Sequence, residues 1–253
     1  MSHKILTPCL FALALALIAP GVPAQSAAPA AAAVDPATIQ ALKNMGAHLQ
    51  SLQRFRVTNE LSGERVLTDG QKLQHMASAS IDVQRPNRLH VKMSSARSER
   101  EMFYNGKEVT LFTPAQKYYA TVPFDGSLGD LANALQTRYG VDLPLADLFV
   151  LGTPAARLDT VDSAMNAGQD FVGADLCDHY AIRQGNFDWQ IWITVGDKPL
   201  PRKLVITNRG DEARPQSISL IYWDLKPVSA SSSFTFTPPK GAKAIEMVPR
   251  KTQ

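Results

Sequence analysis

The sequence predicts a mainly β fold in which helices cover an antiparallel sheet, and three observations carry this. Period-two alternation of apolar and polar residues begins at Phe55 and returns repeatedly down the chain. Asp69-Gly70 and Asn105-Gly106 stand between alternating runs, where a hairpin turn is needed. Two stretches, about 36–52 and 127–150, switch to helical spacing.

The amino terminus reads as a secretory signal. Lys4 supplies the basic region, residues 10–19 an apolar core, and Pro20-Gly21 a break before Val22-Pro23-Ala24, so cleavage is expected after Ala24. The apolar run is shorter than the roughly 20 residues that cross a bilayer, and no stable membrane insertion is expected. Cys9 lies inside the signal, which leaves Cys177 as the single cysteine of the exported chain and excludes an internal disulfide. Residues 25–34, mostly Ala with Ser and Pro, read as a solvated linker. Residues 35–253 then form one expected domain, since β-rich domains often run past about 200 residues undivided.

Each element has its own signal. Asp35 offers an N-cap carboxylate, Pro36 suits a first helical turn, and Ile39, Leu42, Met45, Leu49 and Leu52 recur at helical spacing. Phe55, Val57 and Leu61 alternate with polar neighbours, and a second strand over about 72–84 leads to Arg85-Pro86-Asn87. Leu89, Val91 and Met93 form the apolar side of the next strand, and Asn105-Gly106 is read as a turn with both residues at positive φ. Leu128, Leu131, Leu135 and Tyr139 make a helical stripe, followed by Leu143-Pro144-Leu145 and a short apolar helix ending near Phe149. Strands resume after about 163. The clearest sets Phe187, Trp189, Ile191 and Ile193 against Asp188, Gln190, Trp192 and Thr194, and Leu204, Ile206, Leu220 and Tyr222 continue the set.

Charge and chemistry narrow the function. Removing Lys4 takes the formal charge from +3 to +2, too balanced to indicate nucleic acid. There is no His-Glu-x-x-His, Gly-x-Ser-x-Gly, phosphate-cradling glycine loop or Cys-x-x-Cys. Cys177 and His179 share a strand face, open to two readings: a thiolate-imidazole pair, or a buried thiol beside a hydrogen-bonded histidine. They do not complete a zinc site, which takes three or four protein ligands. Asp175, Asp178 and Asp188 read as solvated carboxylates, while His48, His75 and His90 are too dispersed to share a site. No catalytic residue, metal or cofactor is expected, and the chain does not read as an enzyme.

Three marks in order carry a resemblance: Arg85-Pro86-Asn87, then Asn105-Gly106-Lys107, then Phe234-Thr235-Phe236-Thr237-Pro238-Pro239-Lys240-Gly241. Together they resemble the LolA/LolB-like periplasmic lipoprotein carriers, and most of the chain follows that element order. Leu89 and Val91 stand where a typical carrier has tryptophan and phenylalanine. The insert at 143–149 also differs, so the chain looks closer to a branch of uncharacterised predicted periplasmic proteins. The resemblance implies a strongly curved antiparallel sheet, a half-open β-barrel with a helical lid, and an apolar pocket between them for acyl chains.

On that resemblance Arg85 is the lid latch, hydrogen-bonding backbone carbonyls of the lid helices. A guanidinium, with five donors and a permanent charge, suits the task. The implied pocket lining is Leu89, Val91, Met93, Met102, Val109, Leu111, Leu131, Leu135, Trp189, Ile191, Ile193, Leu204 and Ile206. Each methylene withdrawn from water there is worth roughly 0.8 kcal/mol, and Met45, Met93 and Met102 would suit an adaptable wall. The expected function is a periplasmic carrier holding a lipid or the acyl group of a lipoprotein. The alternative is an envelope sensor or interaction module that uses the same fold with a protein partner.

Overall fold

The computed structural model describes residues 33–227 and 231–250. The expected signal segment and the expected linker up to residue 32 lie outside the described residues. At the far end of that stretch Val34 bridges Ala164, and the Asp35 amide donates to the Ala164 carbonyl at 2.9 Å. Those last linker residues cover a strand edge whose backbone groups would otherwise face water.

Two antiparallel meanders make one sheet. The first comprises β1 (Arg54–Val66), β2 (Lys72–Gln84), β3 (Arg88–Ser95), β4 (Ser98–Tyr104), β5 (Glu108–Thr113) and β6 (Tyr118–Pro123). The second comprises β7 (Ser163–Val172), β8 (Asp175–Gln184), β9 (Phe187–Thr194), β10 (Pro201–Asn208) and β11 (Gln216–Asp224). They join where β1 pairs with β11, Val57 opposite Trp223 and Asn59 opposite Ile221. A two-residue strand, β12 (Lys243–Ala244), adds in parallel to β6. The order is β12-β6-β5-β4-β3-β2-β1-β11-β10-β9-β8-β7, and β12 and β7 do not pair with each other. The sheet is therefore curved and unclosed, a half-open arrangement.

Helices line its inner face. α1 (Pro36–Ser51) starts where expected, with the Asp35 carboxylate accepting from the Ala37 and Thr38 amides at 3.0 and 3.2 Å. Those bonds hold the Asp35 carboxyl below the usual carboxylate range, led by a third from the Thr38 hydroxyl. Leu42, Met45 and Leu49 form its buried stripe. α2 (Leu128–Ala134) opens on a capping box, Ser127 with Asp130, and runs on as a π-helical turn over Leu135–Tyr139. α3 (Asp147–Val150) is a single turn. The three helices share one continuous core with the inward residues of both meanders.

Several expected orientations change. Asn105 does not adopt positive φ; Gly106 does, at 89°, in a three-residue loop where the Asn105 side chain accepts from the Lys107 and Glu108 amides. The amide side chain replaces backbone strain with an Asx-type bond. On β11 the inward residues are Ser219, Ile221 and Trp223, while Leu220 and Tyr222 face out, because β10 pairs Leu204 with Ser219. A one-residue offset exchanges the two faces. Trp192, placed with the polar residues of β9, is buried on the outer face with Cys177 and Val205. Phe187, placed with the apolar ones, is exposed.

The aspartates are not simply solvated. Arg183 donates twice to Asp188, at 2.7 and 3.1 Å, which with Arg209 and Arg214 nearby lowers the Asp188 pKa; Asp175 pairs with Arg202. The carboxy-terminal aromatic motif is an outer-face anchor: Phe234 is buried, and Phe236 packs 5.1 to 5.3 Å from the rings of Phe103, Phe112 and Tyr119.

Candidate functional site

The candidate site is a cavity of about 420 Å³ between β9–β11 and the irregular segment 143–160. Trp189, Ile191, Leu204, Ile206 and Ile221 form its floor, with Phe187 and Pro201 at the strand ends. Leu145, Leu148, Val150, Leu151 and Leu158 form its roof. Ala155 and Ala156 complete that roof. Fourteen of the sixteen lining residues are apolar; the exceptions are Asp147 and Gln184.

Those two polar groups behave differently. Gln184 is engaged, donating to the Arg157 carbonyl at 3.0 Å and to the Thr160 hydroxyl at 2.7 Å, which ties the roof to β8. Asp147 lines the cavity and is an exposed residue, and loss of hydration to the protein around its carboxyl pushes its pKa up. No cation belongs to the lining.

The roof hangs from α1. Gln50 donates to the Leu151 carbonyl at 2.6 Å and to the Phe149 carbonyl at 3.3 Å, satisfying the end of α3. One turn earlier, Gly46 meets Gly152 so closely that a Cβ on Gly46 would lie 2.4 Å from the Gly152 nitrogen. Gly152 itself sits at φ 83°, a conformation natural to glycine. A glycine inside a helical pattern costs about 1 kcal/mol relative to alanine, and that oddity of Gly46 is the sequence signal that could have located this contact.

Arg85 lies one step further back. Its Nε donates to the Leu52 carbonyl at 3.1 Å and Nη2 to the Leu49 carbonyl at 3.3 Å, at the carboxy-terminal end of α1. The Leu49 carbonyl also accepts from the Leu52 amide at 3.4 Å, and a cation at this carboxy-terminal end complements the helix dipole. The Arg85 guanidinium thus anchors α1 to the β2 end of the sheet, and α1 in turn holds the roof through Gln50 and Gly46. Arg85 does not itself line the cavity.

Of the pocket residues expected from sequence, Trp189, Ile191, Leu204 and Ile206 line the cavity. Leu89, Val91, Met102, Val109, Leu131 and Leu135 are instead buried in the closed core beneath α1 and α2, with Met93 and Leu111 half-buried against it. Ile193 is buried and lies beside a second, more polar hollow near Asp178 and Tyr180. Cys177 is fully buried, and burial pushes its thiol pKa up; His179 stacks 4.0 Å from Trp192 and bonds Gln190 at 3.0 Å. That is the setting of a structural thiol and a structural imidazole. Among the described residues, no group of three His, Cys, Asp or Glu side chains is placed to hold a metal ion, and no helix is long and apolar enough to cross a membrane.

Comparison with solved structures gives loose likenesses over most of the chain. The lipoprotein LppX of Mycobacterium tuberculosis is 12% identical over 77% of this chain and 98% of its own, with a TM-score of 0.49. An uncharacterized conserved protein of Thermus thermophilus is 10% identical over 82% and 97%, at 0.46. The LolA superfamily protein NE2245 of Nitrosomonas europaea is 9% identical over 79% and 97%, at 0.37. With likenesses this loose, the fold rests on this chain's own strand pairing. No curated protein matches the sequence. Residues 38–248, spanning α1 to the tail beyond β12, match the model of the family described as predicted periplasmic protein (DUF2092), and the chain belongs to that family.

Proposed function

We propose that the protein is a periplasmic carrier that holds an acyl group in the cavity beneath segment 143–160, with no chemical turnover. The observation that supports this best is the cavity itself. It is an apolar hollow of about 420 Å³, within the range of about 300–1,000 Å³ usual for small-molecule sites, and its roof hangs by a few bonds from α1. In this reading Arg85 is a latch acting at a distance: its grip on the Leu49 and Leu52 carbonyls sets α1, and α1 sets how far the roof can lift.

Mass spectrometry of organic extracts from protein purified out of the periplasm without detergent, against a mock purification, tests the carrier. Stoichiometric lipid or acylated peptide is the expected result, with Leu204→Trp, which fills the floor, emptying the protein. Lipid-free protein that also refuses an acyl probe overturns it. Arg85→Leu tests the latch: release of a bound acyl probe should quicken severalfold, and unchanged retention and release would remove Arg85 from the mechanism.

A further inference from the structure

The position of Asp147 says what kind of acyl ligand the cavity suits, an inference that rests on the carrier reading. The hollow, about 420 Å³ and apolar over fourteen of its sixteen lining residues, has room for an acyl or alkyl tail.

The wall then specifies the end of the chain. Asp147 is the only ionisable side chain among the lining residues, and the other polar group, Gln184, already spends its amide protons on the roof. Asp147 lines the cavity and is an exposed residue. A carboxyl in that position has acceptor sites to offer in either protonation state. It also repels a second carboxylate, since like charges set side by side disfavour each other.

The geometry points to a ligand with an acyl or alkyl tail and a hydrogen-bond-donating, non-anionic head, an amine or a hydroxyl, seated against Asp147. Free fatty acids and anionic phospholipids are then disfavoured, although their tails alone would suit the floor. The selection comes from one residue of the roof, whereas the affinity comes from Trp189, Ile191, Leu204 and Ile206.

Three probes with the same tail separate the two contributions: dodecylamine, dodecanol and dodecanoate, each below its micellar concentration at mildly alkaline pH, displacing a fluorescent acyl reporter from the full exported chain. The amine and the alcohol should bind about tenfold tighter than the carboxylate or better, a difference of about 1.4 kcal/mol. Asp147→Asn, close to isosteric, should close most of that gap by improving the carboxylate. Equal binding of all three probes to the unaltered protein, or a gap that survives in Asp147→Asn, overturns the head-group assignment and leaves the carrier standing. If no tail binds at all, the carrier reading falls and this one with it.

Discussion

Beneath α1 and α2, the inward residues of β1–β5 are packed shut: Leu89, Val91, Met102, Tyr104 and Val109 are each at most 5% exposed. Across the same sheet, beneath segment 143–160, Trp189, Leu204 and Ile206 keep a hollow of about 420 Å³ in front of them. The strands of both halves alternate in the same way, so the difference lies in what covers them. α1 and α2 present rows of long side chains, Leu42, Met45 and Leu49 and then Leu128, Leu131 and Leu135, which reach the sheet and fill it. The other cover is one turn of helix followed by short 3-10 turns carrying Ala155 and Ala156. Gln50, Gly46 and Gln184 hold that cover, and its side chains, Leu145, Leu148, Leu151 and Leu158 among them, leave the hollow unfilled. A closed core and a binding cavity thus come from one strand pattern under two kinds of roof.

The sharpest way to break that comparison is to truncate one leucine on each side. Leu89→Ala, in the closed half, should cost about 3 kcal/mol, within the usual range of about 2–5 for a fully buried leucine. Leu204→Ala, which already faces a hollow, should cost under about 1.5 kcal/mol because fewer packing contacts are lost. Urea unfolding of both variants checks this, and equal losses would mean that the two halves are packed alike.

A smaller loss is expected where the two covers touch. Gly46→Ala gains helix propensity, but its methyl would meet the backbone of Gly152 rather than a side chain that can swing aside. Overpacking against rigid backbone costs about 1–3 kcal/mol, so a net fall in stability is expected, together with faster exchange of a bound acyl probe as the roof is pushed off. A variant more stable than the parent would show that α1 and the roof are not in firm contact.

The smallest effect is a pH dependence at Asp147. Its carboxyl pKa is raised in the folded protein, mainly by lost hydration. The folded state therefore holds its proton more tightly than the unfolded chain, and stability falls as pH rises from the ordinary carboxylate range through the raised value. Asp147→Asn removes that titration. Its thermal stability should match the parent in acid and exceed it at neutral pH, by less than about 1 kcal/mol because water still reaches the group. An advantage that is the same at both pH values would place the carboxyl in an ordinary aqueous setting.

The chain's residues settle much of this locally. Asp35 with Pro36 starts α1, Ser127 with Asp130 starts α2, and Gly70 and Gly106 turn hairpins, because each depends on neighbours only a few positions away. Alternation likewise marks β1, β3 and β9 as strands. It does not fix which strand meets which roof. Trp189 and Leu89 sit in equally apolar runs, and only the cover above them makes one a cavity wall and the other a filled core. The inward face of β11 was equally hidden, since Ile221 rather than Leu220 turns inward through the register that β10 and β1 impose. The roles of Gln50, Gly152 and Asp147 needed the tertiary structure for the same reason: their partners lie far away in sequence, about a hundred residues for Gln50. Local chemistry decides helix, strand and turn, whereas the hollow is a property of distances between elements that no local pattern records.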